Sequence, residues 1–329
     1  MYAYNENDYM IIPADFNAFF YSTKEQTKKI RYSRDYSIME ELHEQIVACI
    51  YSNIDKIFIL DMKNIVSCNS RLFEGLESFI DNIIFINVGE EGSIRQRLKE
   101  DLEMLEWEDE SISYGPNLKG KISISNIVNL VNTYRKKEVV NIISNLVEDE
   151  KKPILLESSG LYANYYVDIK KLFLNVEDFH FIIYCLVTIV YPHVVSERID
   201  AFVSSSKNGA IIANILGGLL NIKEVHLIGV GPKYSMELGN SIECIKPGKK
   251  YAYIFDFMCT GTELKIVSAL INSKRGSLVY SAGIARYKKN INFNLIKETD
   301  VIINTKELDI DYKIFGEQND YILKNEVER

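Results

Sequence analysis

The chain has 329 residues, a length that favours about two domains of ordinary size. Hydrophobic residues make up 47% of the composition and charged residues 26%, which argues against a disordered or fibrous protein. The net charge of −8 argues against nucleic acid as a partner, because proteins hold its phosphates mainly through Lys and Arg. The five cysteines are scattered without metal-site spacing, so the sequence indicates neither a zinc site nor a disulfide framework.

Membrane insertion is also not indicated by the sequence. The longest apolar run, FHFIIYCLVTIVYPHVV at residues 179–195, contains two His and a Pro. It is shorter than the roughly 20 residues that a membrane-spanning helix needs. No basic segment followed by an apolar one opens the chain. We therefore expect a buried helix at this run and a cytoplasmic protein with no membrane partner.

The first part of the chain alternates short β-branched runs with amphipathic segments. The runs YMIIPADF, KIFILDMK and IIFINVG predict strands, and SIMEELHEQIVACIYSN, CNSRLFEGLESFIDN and SIRQRLKEDLEML predict helices. These elements predict a small α/β domain over residues 1–110. The polar stretch EWEDESISYGPNLKGK, with its Gly and Pro, predicts a linker, which we place at residues 111–124.

A second α/β domain is predicted over residues 125–329. It begins with a helix in ISNIVNLVNTYRKKEVVNIISNLV, whose apolar residues recur every three or four positions. Five later runs predict strands, and helices are predicted after the first and the third: DAFVSSS, EVHLIGV, YAYIFDF, SLVYSAGI and DVIINT. Strands that are apolar on both faces and separated by helices predict a mostly parallel, doubly covered sheet. The predicted fold is therefore α/β with two domains.

The stretch IFDFMCTGTEL has the residue types of a phosphate-binding turn. Asp256 ends the predicted strand, and Cys259, Thr260, Gly261 and Thr262 lead directly into a helix. Backbone N–H groups, threonine hydroxyls and the positive end of the helix would hold a phosphate, and glycine would permit its close approach. The same residues also fit a tight strand-to-helix connection without a ligand. Spacing alone does not separate these two interpretations.

This order of residues resembles the phosphoribosyl-binding signature of type I phosphoribosyltransferases. The resemblance implies that the turn Cys259, Thr260, Gly261 and Thr262 holds the 5-phosphate of phosphoribosyl pyrophosphate (PRPP). It also implies that Asp256 holds the ribose and takes part in binding Mg²⁺. The stretch DAFVSSSKNGAIIANILGGL resembles the family's pyrophosphate loop, which implies pyrophosphate contacts from Ser205, Ser206, Lys207, Asn208 and Gly209.

Two further stretches resemble the orotate branch of that family. SSGLYANYYVDIKKLF is similar to its N-terminal hallmark, and GIARYKK places Arg286 at the base-contacting arginine. The resemblance implies that Tyr165, Tyr166 and Arg286 face the base, and that the protein is a homodimer like many family members. Each of these residues also has a structural explanation. The tyrosines would pack in the core, and the arginine would pair with a surface carboxylate.

The chain also departs from the family pattern. Phe255 replaces the first of two adjacent acids, Ser158 replaces a lysine, and the predicted mobile loop GVGPKYSMELGN offers Lys233 and little else that is basic. Because a departing pyrophosphate is stabilised mainly by charge, such losses would weaken catalysis. Lys207 and Lys233 are equally explained as solvated surface lysines.

Three interpretations of the second domain stay open. It is an active transferase that uses Mg²⁺, with Asp256, Lys207 and Lys233 as catalytic residues. Alternatively, it binds a phosphoribosyl compound or nucleotide without turnover, as a sensor. In the third interpretation the fold is a scaffold with no ligand.

The first domain resembles a STAS domain, the fold of anti-sigma-factor antagonists. The resemblance rests on KIFILDMKNIVSCNSRLFEGLESFI followed by IIFINVGEEGSIRQRL, in which Asn69-Ser70 occupies the position of an Asp-Ser pair. It implies a protein partner and phosphorylation of Ser70 by a kinase. The alternative that we favour is that Ser67 or Asn69 caps the helix and that Ser70 has no further role.

Overall fold

The computed structural model describes residues 1–22, 36–38, 40–68, 75–89, 94–156, 161–230, 242–287, 299–308 and 313–315. The chain divides into two compact units, Met1–Glu138 and Val139–Arg329. Both units combine helices with sheets that contain parallel strands.

Eight strands lie in the described part of the first unit: β1 (Tyr4–Glu6), β2 (Tyr9–Pro13), β3 (Tyr36–Ile38), β4 (Ile57–Asp61), β5 (Ile65–Cys68), β6 (Ile83–Ile86), β7 (Glu106–Trp107) and β8 (Ser113–Tyr114). Six of them form one sheet in the order β1-β2-β4-β6-β8-β7. The central strands β2, β4 and β6 are parallel, and the outer pairings are antiparallel. The strands β3 and β5 form a separate parallel pair.

The helices of the first unit are α1 (Ala14–Ser22), α2 (Glu40–Tyr51), α3 (Ile94–Asp101) and the first part of α4 (Ile124–Ser144). Apart from Tyr9 and Ile57 at the strand starts, the apolar residues of the central strands are buried, as expected for parallel strands that are covered on both faces. One cluster joins Ile11, Ile59 and Ile84 of these strands to Ile127 and Tyr134 of α4.

The predicted linker at residues 111–124 is wrong in this structure. Within it, β8 pairs with both β6 and β7, and Ile112 and Tyr114 are buried in the core of the first unit. The start of α4 packs into the same cluster, so the division between the units falls later, between Glu138 and Val139. A polar run with Gly and Pro here marks turns within a sheet and not a boundary.

Two local predictions in the first unit also need correction. YMIIPADF was predicted as a strand, but the strand ends at Pro13 and α1 begins at Ala14. The segment CNSRLFEGLESFIDN was predicted as a helix. It begins in β5, falls partly outside the described residues, and ends in a 3₁₀ helix over Glu77–Asn82.

The second unit contains a five-stranded parallel sheet in the order β12-β11-β13-β14-β15, made of β11 (Ala201–Ser204), β12 (Glu224–Leu227), β13 (Lys250–Met258), β14 (Ser277–Arg286) and β15 (Thr299–Asn304). These are the five strands predicted from the sequence. A second sheet is antiparallel and joins β9 (Val147–Leu156), β10 (Leu161–Val167) and β16 (Ile314–Phe315).

The helices of the second unit, besides the end of α4, are α5 (Ile169–Leu172), α6 (Val176–Glu197), α7 (Lys207–Leu220) and α8 (Thr262–Ser273). As predicted, α7 follows β11 and α8 follows β13. Leu264, Val267 and Ile271 of α8 pack against Tyr251 and Phe255 of β13, which fixes the start of α8 at the carboxyl end of that strand.

The helix α6 is longer than the apolar run within it. With 22 residues and a mean hydropathy of 1.7 over its most apolar window, it is long and apolar enough to cross a membrane. It packs against α7, β14 and β15, and Phe181, Ile182 and Leu186 are fully buried. Core helices have the same length and composition, so we interpret α6 as a core helix of the second unit.

Candidate functional site

A cavity of about 560 Å³ lies in the second unit at the carboxyl ends of β11 and β13. Ligands of parallel α/β sheets bind at this edge, because the loops that follow neighbouring strands meet there. The cavity's polar and charged lining residues are Tyr166, Lys170, Ser205, Ser206, Lys207, Asn208, Tyr253, Asp256, Cys259, Thr260, Thr262 and Glu263.

The loop from β11 into α7 is fixed by Ser206. Its side chain caps α7 by accepting a hydrogen bond from the Gly209 N–H at 2.9 Å, and its hydroxyl lies 3.0 Å from Asp256 Oδ1, to which it donates. A Cβ atom at position 209 would lie 2.3 Å from Ser204 Oγ. A side chain at position 209 would therefore displace the Ser204 and Ser206 hydroxyls where α7 starts close to the strand, and Ser206 connects this start to the end of β13.

The turn from β13 into α8 differs because its capping position is a glycine. Gly261 has a φ of 71°, in the left-handed region that glycine adopts without strain. It has no side chain to accept from the first N–H groups of α8, in contrast to Ser206 at the start of α7. The hydroxyls of Thr260 and Thr262 lie 2.9 Å apart beside this turn. The turn thus combines uncapped N–H groups, a helix dipole and two hydroxyls, which are the groups that hold a phosphate.

Asp256 and Phe255 have different environments although they are adjacent in β13. Asp256 is partly exposed and lines the cavity. The Phe255 side chain is 2% exposed, its ring stacks on Tyr253 at 5.8 Å between centroids, and it packs in the core with α8. A Cβ atom at Gly283 of the next strand would lie 2.2 Å from the Phe255 ring, so glycine there makes room for the ring. Position 255 is a core position in this chain.

Glu263 is a site residue that sequence reasoning missed. It lies in the first turn of α8, lines the cavity, and accepts a short hydrogen bond from the Ser205 hydroxyl. Ser205 Oγ also lies 2.5 Å from the Tyr253 hydroxyl. Burial, and then the negative charge of Glu263, raise the pKa of Tyr253 far above its usual range, so the phenol keeps its proton. From sequence alone, an acid in the first turn of a helix is explained by its favourable interaction with the helix dipole. That explanation gives no indication of the hydrogen bond from Ser205.

The structure separates the other predicted residues. Tyr166 lines the cavity, where burial and then the charges of Asp168 and Asp256 raise its pKa. Tyr165 and Arg286 are not among the described residues that line the cavity. Arg286 ends β14 and donates from Nε to Asn304 Oδ1 at 2.9 Å. Successive strand residues point to opposite faces, which explains why only one of the two tyrosines reaches the cavity.

The remaining predicted residues are divided between the cavity and the undescribed parts of the chain. Lys207 is exposed and lines the cavity beside Asn208, and Cys259 lines it at the turn before α8. Lys233 and Ser70 lie outside the described residues. Their predicted roles stay predictions.

The described residues offer few ligands for a metal ion. They contain no group of three or more His, Cys, Asp and Glu that could hold one. Asp256 fits the part of a single carboxylate ligand, because Mg²⁺ commonly takes one or two protein carboxylates and completes its shell with substrate phosphate and water. The residues therefore fit Mg²⁺ that arrives with a phosphorylated ligand.

Comparison with known proteins gives distant structural likenesses only. No protein-family model matches the chain, and no curated protein matches it. Orotate phosphoribosyltransferase from Aeropyrum pernix is similar at 14% identity and a TM-score of 0.40, covering 52% of this chain and 96% of that one. A phosphoribosyltransferase from Corynebacterium diphtheriae is similar at 17% identity and a TM-score of 0.38, covering 54% and 99%.

An adenine phosphoribosyltransferase from Thermoanaerobacter pseudethanolicus gives similar figures. The identity is 12%, the TM-score is 0.38, and the match covers 50% of this chain and 99% of that one. At these identities and TM-scores the likenesses carry no argument about the activity of this chain.

Proposed function

We propose that the second unit binds a phosphoribosyl compound such as PRPP, or a nucleotide, in the cavity between the β11 and β13 loops. The observation that carries this proposal is the turn at Gly261, where an uncapped helix start and two threonine hydroxyls face the same cavity as Asp256. A phosphate bound at the turn and sugar hydroxyls bound at the Asp256 carboxylate would belong to one sugar phosphate.

Each part of such a ligand has a complementary group in the cavity. The 5-phosphate would accept from the first N–H groups of α8 and from Thr260 and Thr262. The ribose hydroxyls would donate to Asp256, and a second phosphate would lie near Lys207 and the start of α7. The exposed face of Tyr166 would take a base by stacking. Mg²⁺, when bound, would neutralise phosphate charge beside Asp256.

An enzymatic form of this function is phosphoribosyl transfer of the orotate type. The bond from ribose C1 to pyrophosphate would break, a bond from C1 to a nitrogen of a nucleobase-like acceptor would form, and pyrophosphate would leave with its electron pair. The protein would then be a glycosyltransferase. The strand offers Asp256 alone for the ribose, because Phe255 is a buried core residue.

That same burial of Phe255 favours a second candidate, a nucleotide-sensing protein without turnover. In this case the first unit, which we propose to be STAS-like, would pass the signal to a protein partner. We also propose, from the sequence resemblance, that the protein is a homodimer.

Calorimetric titration of the full chain with PRPP and Mg²⁺ and with nucleotides, followed by a pyrophosphate-release assay with candidate bases, separates these functions. Binding with release supports the transferase, and binding without release with any base supports the sensor. Failure of PRPP and of every nucleotide to bind would contradict both.

A further inference from the structure

Three side chains connect the two loops of the cavity. Ser205 belongs to the loop between β11 and α7, Tyr253 to strand β13, and Glu263 to the first turn of α8. Ser205 and Tyr253 are each 3% exposed, and all three residues line the cavity. The sequence pattern does not predict that these three side chains contact one another.

Counting protons gives the direction of this hydrogen-bond chain. A serine hydroxyl has one proton, and the Ser205 proton goes to Glu263 Oε2. The 2.5 Å contact between Ser205 Oγ and the Tyr253 hydroxyl then needs the tyrosine as its donor. The order is therefore Tyr253 to Ser205 to the carboxylate of Glu263, and each hydroxyl proton has one acceptor.

The neighbouring residue makes a matching contact to the other carboxylate. Ser206 donates to Asp256 Oδ1 at 3.0 Å, so two adjacent serines of one loop are bonded to carboxylates from the end of β13 and the start of α8. Hydrogen bonds to a charged acceptor are stronger than those between neutral groups. The β11 loop is thus fixed relative to the α8 turn before any ligand arrives.

We propose that Glu263, acting through Ser205 and supported by Tyr253, is a positioning residue that holds the β11 loop at the correct distance from the α8 turn for one ligand to contact both. This proposal rests on the proposed function and adds the residues that preorganise its site. A ligand that spans both loops gains from this preorganisation, because it does not have to order the loop itself. A small anion that contacts only the α8 turn gains nothing from it.

The test compares two ligands across four variants of the full chain. Glu263→Ala removes the acceptor of the Ser205 hydroxyl, and Tyr253→Phe removes the donor to it, so each variant loses one hydrogen bond of the chain. Glu263→Gln keeps an oxygen that accepts from Ser205. Tyr251→Phe is the matched control. Tyr251 lies on the same strand, is fully buried, and accepts from the Lys246 N–H at 2.8 Å, outside the residues that line the cavity. Calorimetry gives the affinity of each variant for PRPP and for inorganic phosphate.

Tyr253→Phe and Glu263→Ala should each weaken PRPP binding about tenfold, the factor that corresponds to one lost hydrogen bond. Phosphate affinity should be unchanged, and Glu263→Gln and Tyr251→Phe should bind PRPP like the unaltered chain. Equal loss for both ligands, or the same loss in Tyr251→Phe, would overturn the proposal, because the effect would then be general destabilisation.

Hydrogen exchange without ligand separates this proposal from the proposed function. In Tyr253→Phe and Glu263→Ala, amides of residues 205–210 and 262–265 should exchange faster than in Tyr251→Phe. Should the unaltered chain bind neither ligand while exchange changes in this way, the proposed function fails and the positioning role stands. Unchanged exchange in both segments would overturn the positioning role whatever the ligands do.

Discussion

At the scale of single residues, position 255 decides how the ribose end of the cavity works. The sequence resemblance implies an acid here, and the structure buries Phe255 between Tyr253 and Gly283. Phe255 borders the cavity, but it is only 2% exposed and packs in the core with α8, so an acid placed there would be largely buried. The second acid is therefore absent because position 255 is occupied by a ring that packs between the sheet and α8.

Phe255→Asp should accordingly destabilise the second unit and not create activity. Loss of the ring leaves a cavity, and the new carboxylate is buried without a partner, so the free energy of unfolding should fall by at least about 3 kcal/mol. Phe255→Leu, the control, should cost roughly 1 kcal/mol because most of the volume is kept. Urea unfolding and the pyrophosphate-release assay check both parts. A stable Phe255→Asp variant with increased turnover would contradict the placement of this side chain.

A buried ionic cluster in the first unit shows that contacts between residues distant in the sequence cannot be predicted from local sequence patterns. Arg135 donates to both carboxylate oxygens of Asp15, at 2.7 and 2.8 Å, and its Nη2 lies 3.7 Å from Asp61 Oδ2. Tyr134 and Asn87 also donate to Asp61, at 3.3 and 2.8 Å. Asp61 ends β4, but its partners come from distant parts of the chain and no local pattern joins them.

Asp61 predicts a pH dependence for the stability of the first unit. Burial, and then the negative charge of Asp15, raise the pKa of Asp61 despite Arg135. A raised pKa means that the folded unit keeps a proton that the unfolded chain has lost. Its stabilising effect is complete below the unfolded pKa and is lost as pH rises through the folded pKa.

Asp61→Asn removes this titration, so the variant should gain stability relative to the unaltered chain as pH rises above the unfolded pKa of about 4. Trp107, the single tryptophan, lies on β7 in the first unit and reports the unfolding of that unit by fluorescence. A stability difference that does not change with pH, or that changes in the opposite direction, would contradict the raised pKa.

At the scale of elements, the start of α8 is the part of the site that the sequence predicted best. Apolar residues, Asp, a short turn with Gly and a helical pattern are all local signals, and strand, turn and helix lie where they were predicted. The hairpin of β9 and β10 was not predicted, because VEDEKKPILL has charged residues through its first half and lacks strand alternation. The register of the pair also shifts between Ala163 and Tyr165, which disturbs the pattern further.

Gly261→Ala should weaken ligand binding beyond its effect on stability. Alanine at a left-handed φ costs about 1–2 kcal/mol, and relief of that strain would move the N–H groups of the α8 turn. Gly248→Ala is a matched control in the same unit, since Gly248 has a φ of 76° and open space around it. Both variants should lose similar stability by thermal unfolding, and only Gly261→Ala should lose PRPP affinity by calorimetry. Equal affinities in the two variants would remove the turn from the site.

At the scale of the whole molecule, the alternation of short apolar runs with amphipathic segments correctly indicated a mixed α/β architecture, and the parallel sheet of the second unit followed from its apolar runs. The boundary between the units was not predicted correctly. The turns around β8 have the polar composition of a linker, although Tyr114 and Ile112 are buried in the core. The candidate site shows the same difference between local patterns and contacts that depend on tertiary packing. Asp256 and the turn were predicted from local order, and Glu263 was missed because its contact depends on how the start of α8 meets the loop after β11.

The central claim, that the second unit holds a phosphate-bearing sugar at the α8 turn, is tested most directly by a crystal structure of the full chain soaked with PRPP and Mg²⁺. We expect a phosphate group within hydrogen-bond distance of the N–H groups at residues 261–263, with the ribose hydroxyls at Asp256. A ligand bound at another place in the second unit, or a cavity that stays without ligand at saturating PRPP, would contradict it.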